Sequence, residues 1–197
     1  EDAANAVACG ADALGFNFFK GSTRYISPGK AAEICAQVPA FVATVGLFVN
    51  EPLADVNRII GSLRLGLVQF HGDETPEYCD SVGHLYMKAL RATNRDQIEV
   101  EAQSFQTAQA ILVDTATDGQ FGGTGKTFDW RMLPDLAKPV VLAGGLDATN
   151  VGAAIAATHP YAVDVSGGVE RSRGVKDVAK MKKFVEAVQS ADRSNNE

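Results

Sequence analysis

Short segments without polar alternation recur along this chain, and each is followed by a segment with helical periodicity. Side chains alternate between the two faces of a strand, so such a segment indicates a strand buried on both faces, as in parallel sheets. A repeat of about 25 residues per strand and helix favours parallel strands joined by helical crossovers. The seven predicted strands lie at residues 11–19, 42–49, 65–71, 85–91, 110–114, 139–143 and 161–166.

The segments between the strands carry helix-start signals. Proline follows a potential capping position in Ser-Pro at 27–28, Glu-Pro at 51–52 and Thr-Pro at 75–76. Further helices are predicted at 1–9, 96–105, 129–136, 148–158 and 175–191. This order predicts an α/β fold, a (βα)8 TIM barrel whose first β-strand is absent from this sequence. Since no linker interrupts the series, residues 1–197 are predicted to form a single domain.

A doubly wound sheet is the alternative to a barrel. Such a sheet has a glycine-rich phosphate-binding turn after its first strand, and no such turn is visible here. A barrel without its first strand would leave two unpaired sheet edges, which closure normally removes. We therefore expect the natural protein to have about ten further residues before Glu1, enough for one strand.

The composition argues against several classes of partner. The 24 acidic residues outnumber the 18 basic ones and give a net charge of -6, which disfavours a nucleic-acid surface. No apolar run approaches the roughly 20 residues that span a bilayer, and nothing resembles a signal peptide. The 3 cysteines lack metal-site spacing. The sequence thus predicts a cytoplasmic protein without nucleic-acid or membrane partners.

Polar residues stand at the carboxyl ends of several predicted strands or in the loops after them, where barrel enzymes place their active sites. Two of these strands each carry two polar residues that lie two positions apart, so both side chains face the same side of the strand. These pairs are Gln69 with His71 and Asp164 with Ser166. Solvated loop residues or helix N-caps are the alternative interpretation for any one position. These candidate site residues are Arg24, Gln69, His71, Asp114, Asp164 and Ser166.

Two glycine-rich loops follow the last two predicted strands, with A-G-G-L at 143–146 and S-G-G-V-E at 166–170. Barrels often bind phosphate at these loops through backbone N–H groups, because glycine lets the backbone approach an anion closely. The pattern predicts phosphate contacts from Gly144, Gly145, Ser166 and Gly167. Two tight turns without a ligand are the alternative.

A third glycine-rich stretch follows Asp114. The apolar run at 111–113 ends in this acid, and glycines that include Gly122 and Gly123 precede Trp130. A buried strand that leads a carboxylate into a glycine-lined loop is typical of a catalytic acid in α/β enzymes. We therefore predict that Asp114 is catalytic and that the loop, with Gly122 and Gly123, covers the substrate.

Seven motifs occur in a characteristic order along the whole chain. They are A-D-A-L-G-F-N-F at 11–18, S-T-R-Y-I-S-P at 22–28, V-G-L-F-V-N at 45–50, V-Q-F-H-G-D-E at 68–74, G-G-T-G-K-T-F-D-W at 122–130, L-A-G-G-L at 142–146 and V-D-V-S-G-G-V-E at 163–170. Together they resemble phosphoribosylanthranilate isomerase, the barrel enzyme of tryptophan biosynthesis.

The resemblance implies an Amadori rearrangement of N-(5-phosphoribosyl)anthranilate, a phosphosugar–anthranilate substrate, without metal or organic cofactor. It implies that Asp114 is the general acid and that Arg24 binds the anthranilate carboxylate. It also implies a monomer or a homodimer. The implied phosphate contacts are Gly144, Gly145, Ser166 and Gly167, and the implied pocket residues are Gln69, His71 and Asp164.

One feature of the family is missing from this sequence. The general base of the family is a cysteine in a C-G-x-T motif that ends the first strand, and none of the 3 cysteines stands in such a motif. A non-catalytic phosphosugar-binding barrel is therefore the alternative function. A metal-dependent ribulose-phosphate epimerase is disfavoured because His84 and His159 do not end strands. Lys88 could form a Schiff base, but a buried structural lysine is the favoured interpretation.

Overall fold

The structure of the protein, a computed structural model, describes residues 1–92, 94–115, 130 and 133–195. Its main sheet contains seven strands in chain order. The first four strands pair in parallel with their neighbours, and so do the last three. All seven predicted strands are present, although most are shorter than predicted. They are β1 Ala13–Asn17, β2 Ala43–Phe48, β3 Leu67–Phe70, β4 Tyr86–Ala92, β5 Ala110–Thr115, β6 Val140–Leu142 and β7 Ala162–Val163.

Helices lie between these strands at most of the predicted places. The predicted caps form at two of them: Ser27 Oγ accepts a hydrogen bond from the N–H of Lys30, and Thr75 Oγ1 accepts one from the N–H of Tyr78. The helices of the described residues are α1 Asp2–Cys9, α2 Pro28–Cys35, α3 Leu53–Ser62, α4 Pro76–Ser81, α5 Arg95–Ser104, α6 Val151–Thr158 and α7 Val178–Asn195. None of them is long and apolar enough to cross a membrane.

The last helix, α7, begins later than predicted, at Val178 rather than at residue 175. Residues 175 and 176 are not helical but form a short strand, β9 Val175–Lys176, which pairs antiparallel with β8 Glu170–Ser172. Gly174 turns the chain between them with a φ of 78°, which glycine adopts without steric cost. Cross-strand pairing, which helical periodicity does not reveal, thus delays α7 to Val178.

Two other predicted helices need comment. The helix predicted at 148–158 starts at Val151, because Asn150 hydrogen-bonds the preceding loop. The helix predicted at 129–136 falls mostly outside the described residues, and residues 133–136, which are described, are not helical.

The chain forms two compact units by internal contacts. Unit 1 comprises Glu1–Ala89 and Phe105–Gln109. Its core is built from strand residues such as Phe48, Val68 and Phe70, all nearly inaccessible to solvent. Phe48 stacks on Phe18 with ring centroids 5.2 Å apart. Helix α3 packs through Val56, which is fully buried.

Unit 2 comprises Leu90–Ser104 and Ala110–Glu197. The central residues of β5, at 111–113, are fully buried, which explains why no polar residue interrupts this strand. Helices α6 and α7 pack on each other, and α7 contributes Met181 and Phe184, three residues apart, to the buried set. The prediction of a single domain stays a prediction.

Candidate active site

In unit 1, strand β3 brings together two of the predicted site residues. Gln69 lies in the strand and is 5% exposed, while His71 follows the strand by one residue. His71 Nδ1 lies 3.0 Å from Gln69 Oε1, and the backbone N–H of His71 donates to the carbonyl of Phe48 at 2.9 Å. The imidazole of His71 and the carboxamide of Gln69 are thus within hydrogen-bond distance, and the donor depends on the tautomer of the ring.

The loop after β3 is held by a buried ion pair. Lys88 Nζ lies 2.9 Å from Glu74 Oε2, and the two side chains are 4% and 2% exposed. The Glu74 carboxylate also accepts from the backbone N–H groups of Asn50 at 2.7 Å and of Gly72 at 2.9 Å. Lys88 Nζ donates to the carbonyl of Gly72 at 2.6 Å. Gly72, the residue after His71, is therefore hydrogen-bonded through both its N–H and its carbonyl.

Arg24 lies in the turn after β1. Ser22 Oγ accepts hydrogen bonds from the backbone N–H of Arg24 at 3.0 Å and from Asn17 Nδ2 at 3.3 Å. The N–H of Ile26 returns to the carbonyl of Asn17 at 2.9 Å. The turn is thus closed onto the end of β1, and the half-buried Arg24 extends from a defined backbone.

In unit 2, Asp114 lies near the carboxyl end of β5 and is half-buried. The fully buried residues 111–113 precede it. The carbonyl of Val113 accepts from the N–H of Ala143 at 2.9 Å, so the residue after β6 lies beside the last residues of β5. Asp114 and Gly144 are therefore at the same, carboxyl-terminal side of neighbouring parallel strands, as an active site at strand ends requires.

The loop after β6 has a backbone that needs glycine. Gly144 and Gly145 have φ values of 88° and 65°, which L side chains rarely adopt. Asn150 donates to the carbonyl of Gly145 at 2.9 Å and accepts from the N–H of Asp147 at 2.9 Å. Hydrogen bonds from Thr149 to the Asp147 carboxylate lower the pKa of that group. These hydrogen bonds link the loop after β6 to the residues that begin α6.

The loop after β7 carries the remaining predicted residues. The N–H of Asp164 donates to the carbonyl of Leu142 at 2.8 Å, which places this residue level with the end of β6. Asp164 and Ser166 are exposed, and a 3₁₀ turn, Gly167–Val169, follows. Exposed backbone at a strand end is what a phosphate-binding loop requires.

The two glycine-rich loops of unit 2 are in direct contact. A Cβ atom on residue 168 would lie 1.9 Å from the carbonyl oxygen of Leu146 and 3.0 Å from Cβ of Asp147. No side chain fits in that space, so Gly168 is needed for the loops to approach each other. The backbones of the two loops therefore lie directly against each other.

The comparisons with known proteins identify the family. The family model described as N-(5'phosphoribosyl)anthranilate (PRA) isomerase matches residues 1–187. The chain belongs to this family. An N-(5'-phosphoribosyl)anthranilate isomerase of Pseudomonas putida is 50% identical over 192 residues, which is 97% of this chain and 93% of the relative.

Solved structures of phosphoribosylanthranilate isomerases are similar as well. The one from Thermotoga maritima aligns with a TM-score of 0.87 and 38% identity, over 96% of this chain and 93% of that one. A second, in complex with reduced 1-(o-carboxyphenylamino)-1-deoxyribulose 5-phosphate, aligns with a TM-score of 0.82 and 36% identity, over the same shares of both chains, 96% and 93%.

Membership in the phosphoribosylanthranilate isomerase family confirms the predicted resemblance and the predicted α/β barrel class. The roles of individual residues stay predictions. Two of the predicted substrate contacts, Gly122 and Gly123, lie outside the described residues. Within the part of the chain that the structure describes, no cluster of three or more His, Cys, Asp or Glu side chains could hold a metal ion.

Proposed function

We propose that this chain converts N-(5'-phosphoribosyl)anthranilate to 1-(2-carboxyphenylamino)-1-deoxyribulose 5-phosphate in tryptophan biosynthesis. The family match over residues 1–187 carries this proposal. The ligand of the related structure, a reduced form of this ketose phosphate, supports the substrate class. We further propose a cytoplasmic location and a monomeric or homodimeric state.

Asp114 is the proposed general acid. Its carboxyl group gives a proton to the ribose ring oxygen while the bond from that oxygen to C1′ breaks and the anilino nitrogen lone pair forms the C=N bond of an iminium. A general base then removes the C2′ proton, and the C–H electron pair forms an enolamine. Tautomerisation of the enolamine gives the ketone. The position of Asp114, half-buried near the end of β5, supports this role.

The general base is not proposed among the cysteines of this sequence. Cys79 is fully buried in α4, and burial raises the pKa of its thiol to about 12. Burial also raises the pKa of Cys35. Thiols with raised pKa values stay protonated near neutrality and are poor bases. Cys9 lies in α1 and not at the end of a strand.

The remaining predicted residues are proposed to hold the two anionic ends of the substrate and its sugar. The guanidinium of Arg24 suits a planar carboxylate, which it can bind with two parallel hydrogen bonds. Backbone N–H groups of the two touching loops suit the phosphate. The proposed phosphate contacts are Gly144, Gly145, Ser166 and Gly167, and the proposed pocket residues are Gln69, His71, Asp164, Gly122 and Gly123.

An activity assay tests the proposal. Phosphoribosylanthranilate is supplied to the natural protein, and its conversion is followed by the change in fluorescence of the anthranilate group. We expect turnover in the native protein and a loss of about a thousandfold in kcat for Asp114→Asn, the range of a lost general acid. The variant should still bind the product, because the amide keeps the shape of the side chain.

The matched control is Asp12→Asn, which changes an exposed aspartate beside β1. It should leave kcat unchanged. Loss of product binding in Asp114→Asn would make this residue structural. Product binding without any turnover in the native protein would favour the non-catalytic phosphosugar-binding barrel.

A further inference from the structure

A short β-hairpin follows the proposed phosphate loop and brings two opposite charges beside it. Strands β8 and β9 pair Glu170 directly with Lys176. Lys176 Nζ lies 3.2 Å from Glu170 Oε1, with side-chain exposures of 25% and 5%. The carboxylate is thus buried, while the ammonium lies partly open to solvent. The ammonium is therefore the member of the pair that can contact other groups of the loop.

Lys176 also contacts the proposed phosphate-binding loop after β7. Its ammonium donates to the backbone carbonyl of Ser166 at 2.9 Å. The carbonyl of Ser166 and the N–H of Gly167 belong to the same peptide group. In a trans peptide these two bonds point in opposite directions across one plane. A lysine that holds the carbonyl therefore also sets the direction of the Gly167 N–H.

The end of the loop after β7 is held by hydrogen bonds from residues that follow it in the chain. Lys180 Nζ donates to the carbonyl of Glu170 at 2.6 Å, and the N–H of Asp177 donates to the carbonyl of Val169 at 2.8 Å. These contacts fix the end of the loop, whereas Lys176 bonds its start at residue 166. Lys176 thus supplies a side-chain donor to the carbonyl of Ser166, the residue that precedes the 3₁₀ turn Gly167–Val169.

We propose that Lys176 is a positioning residue that orients the Ser166–Gly167 peptide for binding the phosphate of the substrate. The proposal rests on the proposed function, which gives that loop its phosphate. The ammonium also polarises the peptide, because a charge-assisted bond to the carbonyl makes the N–H a stronger donor. Glu170 keeps Lys176 in place, since its buried carboxylate fixes the ammonium beside Ser166.

Kinetics of Lys176→Met test the proposal. We expect KM for phosphoribosylanthranilate to rise about tenfold while kcat changes by less than about twofold, because the interaction concerns binding of an unreactive group. Lys176→Arg, which keeps a charged donor, should restore most of the affinity. Lys182→Met is the matched control, since this exposed lysine of α7 has only a long contact of 3.9 Å to Glu186.

Titration with inorganic phosphate separates this proposal from the proposed function. Phosphate should bind Lys176→Met about tenfold more weakly than the native protein, and anthranilate, which lacks phosphate, should bind both equally. Equal phosphate affinity in the two proteins would overturn the role of Lys176. Absence of turnover in the native protein would overturn the proposed function alone, because the phosphate titration does not depend on catalysis. Lys176→Gln, with a neutral donor, gives an intermediate loss and serves as the second variant.

Discussion

Two lysine–glutamate pairs hold strand-end loops in this protein, and they differ in burial. In unit 1, Lys88 and Glu74 are 4% and 2% exposed, and the pair holds the loop after β3. In unit 2, Lys176 and Glu170 are 25% and 5% exposed, and the lysine holds the loop after β7. The same two residue types therefore form a fully buried pair in unit 1 and a partly exposed pair in unit 2.

The buried pair is fully engaged by its surroundings. Lys88 Nζ donates to Glu74, to the carbonyl of Gly72 and, at 3.4 Å, to the carbonyl of Phe70. Three acceptors thus lie within hydrogen-bond distance of the nitrogen, and the side chain is 4% exposed. The structure therefore favours a structural lysine over a Schiff base.

The difference in burial determines what each pair can do. An isolated charge in a dry interior costs several kcal/mol, so a buried pair acts as a unit whose loss affects folding. In the second pair only the carboxylate is buried, and the partly hydrated ammonium of Lys176 can be removed at a smaller cost than that of Lys88. We conclude that the pair in unit 1 stabilises the fold, whereas the pair in unit 2 sets the conformation of the loop after β7.

Removal of the buried lysine should have the largest effect on stability. Lys88→Met leaves the Glu74 carboxylate buried without its cation, and we expect a loss of about 3–5 kcal/mol in the free energy of unfolding. Urea denaturation measures this loss. Lys176→Met is the matched variant in unit 2 and should lose less stability than Lys88→Met, because the ammonium of Lys176 is 25% exposed. Similar losses in the two variants would remove the distinction drawn from burial.

The double variant Lys88→Met with Glu74→Met is the control for the buried pair. Replacing both charges with apolar side chains removes the uncompensated carboxylate, and we expect recovery of most of the stability that Lys88→Met loses. The backbone N–H groups of Asn50 and Gly72 then lose their acceptor, so the recovery should be incomplete. A double variant no more stable than Lys88→Met would show that these hydrogen bonds outweigh the charge pair.

An intermediate effect is expected where the two loops of unit 2 touch. Gly168→Ala would place Cβ 1.9 Å from the Leu146 carbonyl oxygen, so the loops must move apart. We expect a loss of about 1–3 kcal/mol in stability and weaker binding of inorganic phosphate. Gly152→Ala is the control, because α6 offers open space there and alanine favours helix. Unchanged phosphate binding in Gly168→Ala would show that contact between the loops is dispensable.

The smallest effect concerns the hydrated carboxylate of Asp147. Hydrogen bonds from Thr149 lower the pKa of Asp147 below its ordinary value of 3.8. A group with a lowered pKa in the folded state stabilises the protein above its unfolded pKa and loses this contribution as the pH falls. Asp147→Asn should therefore lower Tm slightly at neutral pH, and this difference should disappear as the pH falls through the folded pKa. A difference in Tm that does not vary with pH would contradict the role of its charge.

Much of the fold could be predicted from the sequence because its signals are local. All seven strands of the main sheet were predicted, since apolar runs on both faces do not depend on the partner strand. The caps at Ser27 and Thr75 were also predictable from residue type and spacing. The predicted start of α7 was wrong, because the pairing of Glu170 with Lys176 competes with helix formation there.

The candidate site was predicted in part for the same reason. Polar residues at strand ends, such as Gln69 and His71, are visible in the sequence, and the structure brings these two side chains within 3.0 Å. Lys88 was predicted as a buried structural lysine, but its pairing with Glu74 and the pair of Lys176 with Glu170 were not predicted. A weak signal was present, since Glu74 and Glu170 each follow a strand-end polar residue by three or four positions.

The strand order, the family and the positions where polar groups meet strand ends could be predicted from the chain alone, because they follow from periodicity and motif. The pairing of the charges and the depth of their burial depend on the folded arrangement of distant segments. Lys88 and Glu74 are 14 residues apart, and Gly168 and Leu146 are separated by a strand and a helix. Contacts of this kind depend on distances of a few ångströms between segments, which no local pattern encodes.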